Sequence, residues 1–140
     1  MDWTLEVVVV PVSDVDRAKA FYTEKLGFRV DHDTQFSDSG QRLVQLTPSG
    51  SACSIAIGTR TPWVGVQQMA PGSLQGLQLV VSDIKAARTE LVERGVKVSE
   101  IEVVAESPRR QPDPLDNVGF MFFDDPGGNG WAVQQISSRS

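Results

Sequence analysis

The chain of 140 residues has very little with which to hold a metal or a cross-link: one cysteine, Cys53, and one histidine, His32. A lone cysteine has no internal partner for a disulfide, so nothing here requires an oxidising compartment. One Cys and one His also fall short of the nitrogen and sulfur ligands that a zinc site collects. Basic clusters are scarce as well. Arg109 and Arg110 are the only adjacent basic pair, and the net charge is -5, which speaks for solubility and against a nucleic-acid partner. Long apolar runs are missing too. Val7 to Val10 is far too short to cross a bilayer, and Met1-Asp2-Trp3-Thr4-Leu5-Glu6 lacks the basic and apolar segments of a signal peptide. The expectation is a cytoplasmic protein with no membrane partner.

What is present is ordinary globular material, 40% hydrophobic and 22% charged residues, with no argument for disorder. A unit of about 60 residues is only marginally stable alone, so two small halves in this chain are expected to need each other.

The halves are visible as an internal repeat. Val12-Ser13-Asp14, a helical pattern and Leu26-Gly27-Phe28-Arg29-Val30 recur as Val81-Ser82-Asp83 ending in Gly95-Val96-Lys97-Val98. The offset is 69 at the first landmark and 68 at the glycine, a slip that a helix turn absorbs. Before each Val-Ser-Asp lies an apolar strand pattern, Leu5 to Val10 and Leu77 to Val81. Ser or Asp then caps a helix and Gly ends it. Val15, Ala18, Tyr22 and Leu26 fall at spacings of three and four, as do Ile84, Ala87 and Leu91, so each helix buries one stripe. Tyr22 and Phe21 read as core against a sheet.

A Pro/Gly turn closes each copy, Pro48 to Ser54 and Pro126 to Ala132, leading into terminal strands at Ser54 to Ile57 and Ala132 to Ile136. The order is strand, helix, strand, strand, strand, twice. Residues 3–60 form the first module, 61–73 a linker and 74–137 the second module, with a Pro-rich loop from Ala105 to Asp116 inside it.

This repeat, with Pro-Val-Ser-Asp-Val-Asp-Arg-Ala-Lys-Ala-Phe-Tyr-Thr-Glu-Lys-Leu-Gly-Phe at Pro11 to Phe28 and Asp-Pro-Gly-Gly-Asn at Asp125 to Asn129, resembles the vicinal oxygen chelate superfamily of glyoxalase I, bleomycin-resistance proteins and extradiol dioxygenases. The resemblance covers nearly the whole chain and implies an α+β fold of tandem βαβββ modules, their mixed sheets curved into a ligand cup between the modules. It implies a homodimer, a common assembly in that superfamily. It does not select a chemistry, because one fold carries several.

Metal-dependent members of that superfamily place His early in each copy and Glu or a second His in the last strand. The matching positions here are Val7, Ser54, Gly76 and Ala132, so the expectation is no metal and no cofactor. Near neighbours do not repair the set: Glu6 sits one residue out of register and so on the opposite sheet face, while Gln75, Gln78, Gln134 and Gln135 offer amide oxygens, weak ligands for such metals. His32, between Asp31 and Asp33 at the end of the second strand, reads as exposed, and Asp31, Asp33 and Asp38 as a solvated acidic edge. Cys53 reads as a small buried hydrophobe. Asp124 and Asp125 read as turn residues.

Strand alternation puts Val7 and Val9, Ser54 and Ala56, Gly76 and Gln78, and Ala132 and Gln134 on the faces that would line the cup. Trp63 and Met69 in the linker are placed to cover it. Such a lining suits an apolar or aromatic small molecule with a few hydrogen-bonding groups. The leading expectation is a binding protein that acts by affinity. The alternatives are a metal-independent isomerase, lyase or hydrolase, whose catalytic residues the sequence does not identify, and a metal-dependent lyase or dioxygenase with ligands elsewhere.

Overall fold

Each half of the chain folds into a four-stranded mixed sheet with a helix laid on one face, and the reason is the same in both. A computed structural model describes residues 1–36, 41–58, 69–105 and 113–139. By contacts it divides into two units: Met1–Leu74 with Asp125–Asn129, and Gln75–Asp124 with Gly130–Ser140.

In the first unit the strands are β1 (Val7–Pro11), β2 (Arg29–Phe36), β3 (Gln41–Thr47) and β4 (Ser54–Gly58), in spatial order β1-β4-β3-β2. β1 runs parallel to β4, with Val7 opposite Ser54 and Val9 opposite Ala56, and the other pairs are antiparallel. A parallel neighbour needs a crossover, and helix α1 (Val15–Ala20) begins it. Asp14 starts α1 by accepting from the Arg17 amide at 3.1 Å, as an N-cap does. A π-helical turn, Phe21–Lys25, follows. Gly27, at φ 73°, ends the helix, and the Phe28 amide bonds the Tyr22 carbonyl at 2.9 Å. Val10, Val44, Leu46, Ile57 and Tyr22 are fully buried, with Val15 and Ala18 beside them.

The second unit repeats this with β5 (Leu77–Val81), α2 (Ile84–Glu93), β6 (Glu102–Val103), β7 (Gly119–Asp124) and β8 (Gly130–Gln135), in order β5-β8-β7-β6. Asp83 caps α2 through the Ala86 amide at 3.1 Å, and Gly95, at φ 83°, ends it. Met121 and Val133 pair in register, as do Phe123 and Trp131, whose rings stack at 6.1 Å. All four are buried, as are Ile84 and Leu91 of α2. Gln135, also buried, accepts from the Ile84 amide and donates to Asp113 and Asp116. It is therefore a brace for the α2 start.

Several expectations need correction. β1 begins at Val7, and Leu5, which precedes the sheet, is 72% exposed. The last strand starts at Gly130 rather than Ala132, because Gly130 still pairs with Asp124. His32 lies within β2 opposite Gln45, not at its end, although it is exposed as expected. Cys53 is half-buried and sits before β4. The acidic edge is not merely solvated: Lys19 and Arg42 both bond Asp33 at 2.7 Å, Arg42 also reaches Asp16, and Arg29 pairs with Asp31. Asp38, Trp63 and most of the linker lie outside the described residues.

The largest departure is at Asp125, which is 4% exposed and no simple turn residue. Its Oδ1 accepts from the amides of Gly127 and Asn129 at 2.9 Å each, and its Oδ2 from Tyr22 Oη at 2.7 Å and Asn129 Nδ2 at 2.8 Å. Asn129 Nδ2 also donates to the Pro11 carbonyl at 2.8 Å, and Asn129 Oδ1 accepts from the Leu74 amide at 3.1 Å. The backbone comes close enough that a Cβ on Gly72 would stand 2.0 Å from the Gly127 carbonyl oxygen. Tyr22 is thus core, as expected, and also a donor.

Removing one donor from a buried carboxylate costs about 1.5–3 kcal/mol. Tyr22→Phe should therefore lower urea-unfolding stability by about 2 kcal/mol, and Asp125→Ala, which strands four donors at once, by about 3 kcal/mol or more.

The acid response has a definite sign. Arg42 and Lys19 hold the Asp33 carboxyl well below the usual range, the Thr47 hydroxyl lowers Asp31, the Leu115 amide and Gln135 lower Asp113, and Ser137 lowers Asp116. Folded-state values below the unfolded ones, near about 4, mean stability that is complete above that pH and lost as pH falls through the folded values. The urea midpoint should hold steady down to about pH 5 and then fall, more gently in Asp33→Asn than in the parent chain.

Candidate functional site

Opposite the helix, each sheet has a second face, and strand registers say which side chains share it. In the first unit the rows are Val7 with Ser54 on β1 and β4, and Val9 with Ala56, which also stands opposite Gln45 of β3. Val7 and Val9 are half-buried, whereas Ser54 and Ala56 are buried, at 5% and 4% exposure. Ser54 is not an isolated hydroxyl. Its Oγ lies 2.6 Å from Thr47 Oγ1, which in turn donates to the Asp31 carboxylate. Thr47 has one proton to give and Asp31 takes it, so the Ser54 proton goes to Thr47 and Ser54 keeps its lone pairs. The Thr47 hydroxyl is the leading reason that the Asp31 carboxyl is held low.

In the second unit the rows are Gly130 and Asp124; Gln78, Ala132 and Phe122; and Val80, Gln134 and Phe120, with Gly76 just before β5. The Phe120 and Phe122 rings stack at 6.3 Å and 12°, and Phe122 is 41% exposed. Gln134 Nε2 donates to the Asn117 carbonyl at 2.8 Å, and Gln78 Nε2 donates to Gln134 Oε1 at 2.6 Å. A main-chain carbonyl can only accept, which sets the orientation of both amides. Gln78 spends one amide proton on this bond and keeps its Oε1 as an acceptor.

Where this face carries its smallest residues there is a depression of about 190 Å³, lined by Gln75, Gly76, Phe122, Asp124 and Ala132 among others. The glycines make it. A Cβ on Gly76 would meet nothing within 4 Å, and a Cβ on Gly130 would strike Gln75 Oε1 at 2.0 Å. Gly130 thus leaves room for the Gln75 amide to lie across the strand.

The positions at which a related metalloenzyme would carry ligands do not fit a divalent ion. Val7, Gly76 and Ala132 offer no donor, and the one oxygen, Ser54 Oγ, is engaged by Thr47. Among the described residues no three His, Cys, Asp or Glu side chains come together as a metal-holding group.

Of the residues chosen from sequence, Val7, Val9, Ser54 and Ala56 share one face in the first unit, Gln78, Ala132 and Gln134 share one face in the second, and Gly76, before β5, lines the depression with Ala132. Met69 is half-buried outside both sheets, and Trp63 is outside the described residues. Sequence reasoning missed Phe120, Phe122, Gln75, Asp124, Thr47 and Asp31. Alternation in Gly119-Phe120-Met121-Phe122-Phe123-Asp124 was available to separate the two Phe pairs. The partner strand, which says which pair meets Ala132, was not.

Comparison with known proteins agrees with this architecture. The sequence model of the glyoxalase/bleomycin resistance protein/dioxygenase superfamily matches residues 4–133. The chain is 34% identical to TnmS3, described as an antibiotic binding protein from Streptomyces sp. CB03234, with a TM-score of 0.72 over 97% of this chain and 98% of that one. A superfamily member from Sphaerobacter thermophilus DSM 20745 is 28% identical, with a TM-score of 0.72 over 96% of this chain and 98% of that one. A relative of Bacillus subtilis (strain 168), the uncharacterized protein YwkD, is 29% identical over 85% of this chain and 86% of its own length. With its duplicated sheet-and-helix unit and a match over nearly its full length, the chain belongs to the glyoxalase/bleomycin resistance protein/dioxygenase superfamily.

Proposed function

We propose that this protein binds an apolar or aromatic small molecule by affinity, without a metal and without altering it. The residues assigned to the task are Val7, Val9, Ser54 and Ala56 in the first unit and Gly76, Gln78, Ala132 and Gln134 in the second, with Met69 and Trp63 as covering groups. Phe120 and Phe122 join them. The observation that carries this reading is the face of the second sheet. An exposed Phe122, its ring stacked on Phe120, pairs with Ala132, and the depression beside it has open space over Gly76. Ligand sites combine an apolar lining with a few placed polar groups, and here Gln78 and Gln134 are held by their own hydrogen bonds. The similarity to TnmS3, described as antibiotic binding, supports the same reading. We propose further that the protein acts as a homodimer in the cytoplasm.

A metal-independent isomerase, lyase or hydrolase is the second reading, favoured by the chain from Ser54 through Thr47 to Asp31. Against it, a carboxyl held below its usual range is a weak general base near neutral pH.

Native mass spectrometry of freshly purified protein should show a dimer carrying an organic ligand of unchanged mass and no metal; a ligand released with altered mass favours the enzyme. With the neutral probe N-phenyl-1-naphthylamine, whose fluorescence rises in apolar sites, Phe122→Ala should weaken binding about fivefold or more, a ring contact of about 1 kcal/mol. An unchanged affinity would remove Phe122 from the site.

A further inference from the structure

The depression in the second unit has a chemical asymmetry that a purely apolar ligand does not use. It is lined by the small residues Gly76 and Ala132, by the exposed Phe122, and by the polar residues Gln75 and Asp124 among others. Asp124 stands two residues from Phe122 on the same strand, so both side chains leave the same side of the sheet. Across the row it pairs with Gly130, over which the Gln75 side chain lies. Among the described residues Asp124 forms no ion pair. Among the described residues no cationic side chain is set against this carboxylate, unlike those of Asp31 and Asp33 in the first unit.

Resting on the binding function proposed above, we propose that this depression is the subsite for an aromatic ammonium, and that Asp124 is its specificity-determining residue. Three features converge on that class. The size suits one ring with a short substituent, since an enclosed apolar cavity of about 150 Å³ accepts benzene and this one measures about 190 Å³. The ring of Phe122 attracts cations to its face and apolar rings to its edge. The carboxylate of Asp124 offers an ammonium a charge-assisted hydrogen bond, stronger than the neutral kind. The net charge of -5 favours the approach of a cation as well. The ligand's ring lies over Ala132 and Gly76 against Phe122, and its ammonium reaches Asp124.

The test uses the full chain and two probes of nearly equal shape, 2-phenylethylammonium and 2-phenylethanol, titrated by NMR at pH 7 and low salt. The expected result is a preference for the ammonium of about tenfold, the size of one charge-assisted hydrogen bond. Shifts should centre on the amides of Gly76, Phe122, Gly130 and Ala132. In Asp124→Asn the preference should fall to about twofold or less, through weaker binding of the ammonium. Asp124→Glu, which retains the charge, should keep most of the preference and guards against a merely structural effect. Equal affinity of the two probes for the parent chain, or a preference that survives Asp124→Asn, overturns the assignment. Absence of binding by both probes at this face also overturns it. None of these results touches the wider binding function, which stands or falls on the neutral naphthyl probe and on native mass spectrometry.

Discussion

The fold of the first unit depends on the carboxylate of Asp125 more than on any other polar group. Four donors converge on its two oxygens, from Tyr22, Gly127 and Asn129, and Asn129 passes the connection on to Pro11 and Leu74. A buried carboxylate is tolerated only when its lone pairs are met, and here a five-residue turn supplies most of the partners. The consequence is one of chain economy. The first unit is assembled from residues 1–74 together with residues 125–129, so it is incomplete until the chain has been made almost to its end. The strain-free approach of Gly72 to Gly127, where any Cβ would collide with a carbonyl oxygen, belongs to the same contact.

Around that constraint the two copies have diverged in what their free faces display. The first carries β-branched and small side chains with a hydroxyl pair ending on Asp31, and that pair is buried. The second carries an exposed phenylalanine pair, an amide relay ending on a main-chain carbonyl, and an open depression. In both networks the last acceptor cannot donate, so the direction of every proton in the chain is determined from that end. The first network is organised around acceptors. It supplies little of what acid–base catalysis requires, because the one carboxyl in the first network is held below its ordinary range.

The residues that replace metal ligands are as informative as the ones that remain. Valine, glycine and alanine stand at three of the positions matched to metal ligands, and a serine already engaged by Thr47 stands at the fourth. A fold that serves several chemistries does so by such exchanges at fixed register positions, while capping residues and turn glycines stay put.

How much of this the sequence carried follows from the range of the forces involved. The caps at Asp14 and Asp83, the glycine stops at Gly27 and Gly95 and the buried stripes of both helices depend on neighbours within a turn or two, and the linear order displayed them. The twofold strand-helix pattern followed from these, and with it the fold and the faces of Val7, Ser54, Gly76 and Ala132. Partners across a sheet are another matter. That Phe122 stands beside Ala132, that Thr47 bridges Asp31 and Ser54, that His32 lies mid-strand, and that Asp125 is the acceptor for Tyr22 all depend on residues brought together over long separations. Composition and spacing are blind to those, because a strand's periodicity says which residues share a face but not which strand lies next to it. The sequence alone determined that the chain is a duplicated strand-and-helix unit of this superfamily; only the tertiary structure decided which side chains share each sheet face, since register is settled by packing and not by pattern.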